Sequence, residues 1–326
     1  MRKDILLSIV IPCYNKEKYI SRAIESAISE VEDCVEIIVL DNNSNDNSWD
    51  IIKTYSSHNL YIYQNTETLD LFSNWNKAFS LSKGKYVKFL PADDIHVSKN
   101  IGNALQCFKD PLVSIVIGSE AYIDENDRFL YNKRVSNSIT SKIGLSVIYD
   151  WFTEYKHTWV NSLPYPTSII FRSSSVRGVN GFSKKYKMIG DIDIIFRVAE
   201  QSKVCFVHYE LGRVRINGDQ EGVKLNSSYP WPNEIIQLLE TYHEDILGIA
   251  HITGGGFKDN INRLLPPELG FNLEPWELPD IFQYLQKKGN LSLEHMKEVF
   301  NCGYGMVIIA QKEIPGLKKI GDLIDN

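Results

Sequence analysis

Two adjacent carboxylates, Asp93 and Asp94, close the stretch Tyr86-Val87-Lys88-Phe89-Leu90-Pro91-Ala92. An apolar run that ends in acids reads as a buried strand with negative charge at its carboxyl end. In an open α/β sheet that end faces the ligand crevice, where paired carboxylates suit a hard divalent cation on a phosphorylated ligand. The same acids also suit a turn or an N-cap before His96 to Lys109, because Asp is favoured at both. A second acidic pair, Asp191 and Asp193, opens the apolar run Ile192 to Arg197 after Gly190. A carboxylate held at a helix start is fixed in direction, which suits it to acid–base work. It can equally cap the helix and favour its dipole, and the two roles are compatible.

The elements that must position these acids alternate along the N-terminal half. Leu6 to Ile11, ended by Pro12, and Glu36 to Leu40, ended by Asp41-Asn42-Asn43-Ser44, are β-branched runs of strands buried on two faces. Between them Glu17 to Glu30 places Ile20, Ala23, Ile24, Ala27 and Ile28 at helical spacing, which predicts an amphipathic crossover helix. Ser48 to Tyr55 and Leu69 to Leu81 read as further helices around the strand-like Leu60 to Gln64. A βαβαβαβ order predicts an α/β domain with a mostly parallel, right-handed sheet. Tyr14, Asn15, Asp41, Ser44, Asn65, Asp93 and Asp94 fall at the carboxyl ends of its strands and are expected to line one crevice.

Read in order, Ser8 to Asn15, Ile38 to Ser44, Asn74 to Ala78 and Gly84 to Leu90 resemble the family-2 glycosyltransferases, over roughly residues 5 to 220. The resemblance implies a GT-A fold, a Rossmann-like nucleotide-sugar domain, and inverting transfer from a nucleotide-diphosphate sugar, UDP foremost, to a hydroxyl of a glycan-type acceptor. It implies nucleotide contacts from Pro12, Tyr14, Asn15, Asp41, Asn76 and Asp93, with Asp94 holding Mn²⁺ or Mg²⁺. Ala92 stands where the family's first acid is usual, leaving the metal fewer protein ligands; water and diphosphate can complete the shell. Asp191 matches the general base, and Gly190 stands where many members have Glu. Arg213, Arg215 and Asn217 match a segment that closes over the diphosphate, although Asn217 replaces a frequent His and an amide is the weaker metal ligand. A solvated basic loop is the plain alternative for the two arginines.

The 326 residues are 43% hydrophobic and 23% charged, with a formal net charge of -6, as in an ordinary globular protein of more than one domain. The acidic balance argues against a nucleic-acid partner, and no basic amphipathic run points to a membrane surface. Residues 5 to 12 read as a core strand rather than a signal peptide, and no stretch has transmembrane length. Five scattered cysteines without a CxxC pair read as reduced thiols of a cytoplasmic protein. Trp151, Phe152, Tyr155, Trp159 and Tyr165 make an aromatic stretch that can stack on an acceptor sugar or fill a core.

Asn226 to Pro232 is a polar, Pro-punctuated stretch that predicts a boundary between a GT-A domain over 1–225 and a small α+β module over 229–326. His251-Ile252-Thr253-Gly254-Gly255-Gly256 and Phe300-Asn301-Cys302-Gly303-Tyr304-Gly305-Met306 are similar to the end of the C-terminal domain of aminoimidazole ribonucleotide synthetase, over about 229–312. A triple glycine can cradle an anion or form a tight turn. The resemblance keeps open a purine-ribonucleotide enzyme or nucleotide-binding protein as the alternative function. No part of the sequence resembles that family's ATP-binding domain, so the module is expected to serve packing or a homo-oligomer interface.

Overall fold

The computed structural model describes residues 4–29, 34–144, 147–148, 151, 163–216, 234–235, 237–238, 246–252, 254–304, 306–311 and 318–325. The chain divides into two compact units, 1–148 with 163–234, and 149–162 with 235–326. The segment 149–162 therefore clusters with the C-terminal part, a division that the composition change at Asn226 to Pro232 does not announce.

In the first unit β1 (Leu7–Cys13) is buried along its whole length and leads to α1 (Ile20–Ile28), which buries Ile20, Ala23, Ile24 and Ala27. This helix is shorter than the sequence pattern because Lys16 to Tyr19 form a turn, Tyr19 and Ile20 both donating N–H to the Lys16 carbonyl at 2.9 Å. β2 (Val35–Asp41), α2 (Ser48–Ile52), β3 (Leu60–Gln64), α3 (Leu71–Ser80) and β4 (Tyr86–Phe89) follow, as the alternation predicts. Asp70 caps α3, accepting the Ser73 N–H at 2.9 Å. β5 (Ile95–His96), α4 (Ile101–Leu105), β6 (Val113–Ile123), β7 (Phe129–Lys133), β8 (Thr140–Ile143), β9 (Ile169–Arg172), α5 (Ser173–Gly178), α6 (Gly190–Ala199) and β10 (Lys203–Arg215) complete the unit.

The strand order is β3-β2-β1-β4-β9-β6-β10-β5, with β7 beside β6 and β8 beside β10. β1 pairs in parallel with β2 and β4, β2 with β3, and β6 with β10. The central sheet is thus largely parallel; β9 is inserted antiparallel to both β4 and β6, and β5, β7 and β8 add further antiparallel pairs at β10 and β6. This insertion carries the chain of β9 and its preceding turn past the carboxyl end of β4, where Asp93 and Asp94 lie.

The second unit contains β11 (Ile246–His251), α7 (Gly256–Asn262), β12 (Leu269–Leu273), α8 (Asp280–Gly289), α9 (Leu293–Val299), β13 (Met306–Ala310) and β14 (Gly321–Asp325). β11 pairs with β13 and β12 with β14, both antiparallel, so this is an α+β module. Its core gathers Ile252, Phe257, Ile261, Met296, Cys302 and Ile309. The glycine run has a packing cause: Gly256 has φ +59° and a Cβ there would stand 2.1 Å from the Lys297 carbonyl oxygen. Only glycine lets the start of α7 approach the backbone of α9 so closely.

Candidate active site

Asp93 and Asp94 lie in a turn between β4 and β5, closed by the Asp94 N–H on the Pro91 carbonyl at 3.0 Å. Both the turn and the strand-end readings of these acids therefore hold. Asp94 is buried, and its two oxygens face different elements. Oδ1 accepts the backbone N–H of Arg215, the last residue of β10, at 2.9 Å, and Oδ2 accepts the Thr167 hydroxyl from the turn before β9. Burial, with Asp93 alongside, pushes the Asp94 carboxyl up to about 8. Asp93 is held by Lys16, whose Nζ lies 2.7 Å from Oδ2.

Arg215 organises this corner. Its guanidinium is fully buried, donates to the Asp93 carbonyl at 2.8 Å and the Asp124 carbonyl at 2.7 Å, pairs with Asp127 at 2.5 Å and lies over the Tyr19 ring. Expected as a diphosphate contact, it is instead committed to the protein, because a buried cation needs fixed acceptors. Arg213 points outward and pairs with Glu210 at 2.8 Å. Asn217 lies outside the described residues, as do Phe152, Tyr155 and Trp159.

The residues expected at the nucleotide divide into two groups. Tyr14 is exposed beside the carboxyl end of β1, and Pro12 is buried within that strand. Asn15 has φ +51° and ties its loop to the next one: its N–H donates to Ser44 Oγ, and its Oδ1 accepts the Asn45 N–H, both at 2.9 Å. Asp41, in contrast, is wholly buried, accepting from Ser44 N, Ser44 Oγ and Gln64 Nε2. It builds the turn rather than presenting a carboxylate to a ligand. Asn76 also turns inward, exchanging hydrogen bonds with the N–H and carbonyl of Phe182 at 2.8 Å. An amide that pairs both ways with one backbone position clips α3 to the chain before α6.

Asp191 and Asp193 share the first turn of α6 but have different surroundings. Asp193 is buried and bound by Arg197, which also donates to the carbonyls of Val179 and Gly181. Asp191 is partly exposed and no cation pairs with it among the described residues; its Oδ1 accepts the Ile192 N–H at 2.9 Å. Surrounding protein pushes its carboxyl up to about 6. Gly190 has a local reason, since a Cβ there would stand 2.4 Å from the Phe72 ring. Glu234 fixes the approach to the helix by accepting the N–H groups of Lys187, Met188 and Ile189 at 2.8, 3.0 and 3.2 Å.

Burial and the negative charges of Asp191, Glu120 and Asp94, in that order, push the Tyr165 phenol up to about 12. Glu120, buried inside β6, accepts the Tyr165 N–H at 3.0 Å and the Tyr122 hydroxyl at 2.7 Å. Tyr131 stacks on Tyr122 at 4.4 Å, leaving Tyr131 and Tyr165 half-exposed on either side of it. Lys16, Glu120, Thr167 and Glu234 were not singled out from sequence. Glu120 had a visible signal, an acid inside an apolar run, and Lys16 follows Tyr14-Asn15 directly; nothing local marks Thr167 or Glu234.

The donor set is made of hard oxygens, which suits Mg²⁺ or Mn²⁺. Each Asp94 oxygen accepts one protein donor and keeps a second lone pair for a cation. Among the described residues no cluster of three or more His, Cys, Asp or Glu could hold a metal ion. The site therefore fits a cation that takes most of its shell from diphosphate and water, and does not fit an all-protein cage. No helix among the described residues is long and apolar enough to cross a membrane.

A model described as Glycosyl transferase family 2 matches residues 8–172, just over half of the 326 residues, and one described as AIR synthase related protein, C-terminal domain, matches residues 212–320. The chain belongs to glycosyl transferase family 2 and carries an AIR synthase-like segment after its transferase region. The crystal structure of residues 1–349 of S. aureus TarS in complex with UDP-GlcNAc is similar at a TM-score of 0.58 and 17% identity, over 73% of this chain and 65% of that one. At that identity the likeness shows the fold, a GT-A sheet. Trifunctional purine biosynthetic protein adenosine-3 of Gallus gallus is 37% identical over 125 residues, 37% of this chain and 12% of the relative. Phosphoribosylformylglycinamidine cyclo-ligase of Bacillus cereus (strain AH187) is 41% identical over 104 residues, 31% of this chain and 29% of the relative. The chain thus spans less than a third of these two curated relatives.

Proposed function

We propose that this protein transfers a sugar, with inversion, from a nucleoside-diphosphate donor to a hydroxyl of a glycan-type acceptor. The carrying observation is the contrast on α6: Asp193 is tied to Arg197, while Asp191 has no cation partner among the described residues and an affinity for protons near that needed of a base at neutral pH. Asp191 takes the proton of the acceptor hydroxyl, which attacks the anomeric carbon from the face opposite the diphosphate. Tyr131 and Tyr165 offer ring faces to the acceptor beside that carboxylate, since the apolar face of a pyranose matches an aromatic one.

On the donor side, Asp94 would hold Mn²⁺ or Mg²⁺, with Arg215 and Thr167 fixing the carboxylate's direction. A bound cation supplies neutralisation of the charge that develops on the leaving diphosphate. Tyr14, Asn15 and the Lys16–Asp93 pair stand at the strand ends where the nucleotide is expected. Pro12 shapes the same end of β1, Asp41 and Asn76 act by holding loops, and Arg213 is the exposed cation within reach of a diphosphate once released from Glu210. TarS binds UDP-GlcNAc, which makes that sugar nucleotide the first donor to try.

The C-terminal module serves assembly or stability rather than purine chemistry. Its glycine run is accounted for by the approach of α7 to α9. Incubation of the full chain with UDP-, GDP- and dTDP-sugars, read as release of the nucleoside diphosphate and its loss in Asp191→Asn, tests the reading. Turnover of ATP with an aminoimidazole ribonucleotide precursor, and none of any sugar nucleotide, would reverse it.

A further inference from the structure

Cys107 lies in the short 3-10 turn Gln106–Lys109 and Cys205 in β10, 98 residues apart in sequence, and their Sγ atoms are 2.7 Å apart. Two non-bonded carbons rest at about 3.5–4.0 Å, and sulfur is the larger atom. A disulfide bond is about 2.05 Å long, so the two sulfurs need only a small further approach to be joined.

Other contacts hold the two segments in place without the sulfurs. Lys203 pairs with Asp110 at 3.1 Å, and its N–H donates to the Leu112 carbonyl at 2.8 Å. Phe108 stacks on Tyr86 at 4.2 Å and lies under Arg172, anchoring the turn on its other side. Cys107 is half-buried, while Cys205 is buried beside it. The two sulfurs share one hydrogen bond, which pushes Cys205 down to about 7 and Cys107 up, so that the pair gives up a first proton readily and keeps the second. Cys13 and Cys302 are buried and burial raises both thiols.

We propose that Cys107 and Cys205 are a thiol pair built to be oxidised to an internal disulfide that locks the 106–112 turn to β10. With hydrogen peroxide as the oxidant, the thiolate of the pair attacks one peroxide oxygen and the O–O bond breaks. Hydroxide leaves, is protonated to water, and a sulfenic acid remains. The partner sulfur then attacks the sulfenic sulfur, the S–S bond forms, and the hydroxyl departs as a second water with the partner's proton. Two thiols and one peroxide become one disulfide and two waters.

The inference is independent of the transferase reading and is tested on the full chain. After peroxide treatment and removal of excess, titratable thiols in denaturant should fall from five to three. Peptide mapping without reductant should show the Cys107 and Cys205 peptides linked, and Tm should rise by about 5 °C or more, reversibly with dithiothreitol, because the bridge closes a long loop. Cys107→Ser, at the half-buried position, should keep the native fold and lose all three effects. An unchanged thiol count, a bridge that joins other cysteines, or a Cys107→Ser protein that responds as the parent does would overturn it.

Discussion

Arg215 donates its backbone N–H to the carboxylate of Asp94 at 2.9 Å across 121 residues of sequence. The acid expected to hold the cation is thus positioned by the last residue of the last strand of the sheet. The arrangement makes the direction of Asp94 a property of the first unit's sheet, since β10 is held there by pairing with β6, β5 and β8.

The metal role of Asp94 is tested best by Asp94→Asn. Asparagine keeps the volume and one acceptor oxygen but carries no charge. Transfer should fall by at least about 10²-fold, as for loss of a main electrostatic group, and Mn²⁺-dependent nucleotide binding should weaken with it. Equal transfer with unchanged metal dependence, measured with circular dichroism to verify folding, would remove Asp94 from the site.

Asp191→Asn should lower turnover by about 10² to 10⁴-fold while donor binding persists, because the amide cannot accept the acceptor's proton. In the parent enzyme the rate should climb as pH rises through about 6, where Asp191 loses its proton. Its stability effect has the opposite sense. A carboxyl raised in the folded state favours folding fully below its unfolded value of about 3.9 and ceases to do so as pH passes about 6. Thermal melts should therefore show the parent losing more stability than Asp191→Asn between those values. If Asp193→Asn abolishes turnover and Asp191→Asn does not, the base has been assigned to the wrong acid.

Glu234→Ala removes the acceptor of three N–H groups from the loop that leads into α6. Ile189 is the buried donor of the three, and leaving it unpaired costs about 1–3 kcal/mol, so a drop in Tm is expected together with a lower kcat. Glu234→Gln, which retains one acceptor oxygen, should fall between the two. A Glu234→Ala protein as stable and active as the parent would show that the loop holds itself.

In the second unit Gly256→Ala should be destabilising, because it combines φ +59° with a Cβ 2.1 Å from a backbone oxygen. A cost of about 1–3 kcal/mol from backbone strain alone is expected, with the clash added. Deleting residues 229–326 should also lower Tm or solubility, since it removes Glu234 and with it the acceptor of three N–H groups before α6. Nucleotide binding by the first unit should survive Gly256→Ala.

The parallel half of the sheet was legible because β1, β2 and β4 are apolar runs that end in polar residues. β6 runs on through Ser119 and Glu120, a polar break in an apolar pattern, because Tyr122 and the Tyr165 N–H satisfy Glu120. β9 is only four residues long and antiparallel, and no local signal separates it from a loop. At the site, Asp94 lies in the turn after β4 and Asp191 in the first turn of α6. Asp41, Asn76 and Arg215 are ligand contacts by resemblance alone, and the partners they have in the structure are protein groups: Ser44 and Gln64 for Asp41, the Phe182 backbone for Asn76, and Asp93, Asp124 and Asp127 for the Arg215 guanidinium.

Transfer from a sugar nucleotide is the central claim, and release of nucleoside diphosphate from UDP-GlcNAc with Mn²⁺ present measures it most directly. A glycan-type acceptor should raise that release, and both Asp94→Asn and Asp191→Asn should suppress it. No release from UDP-, GDP- or dTDP-sugars with any acceptor, and no protection of the folded chain by UDP with Mn²⁺ in a thermal melt, would contradict it.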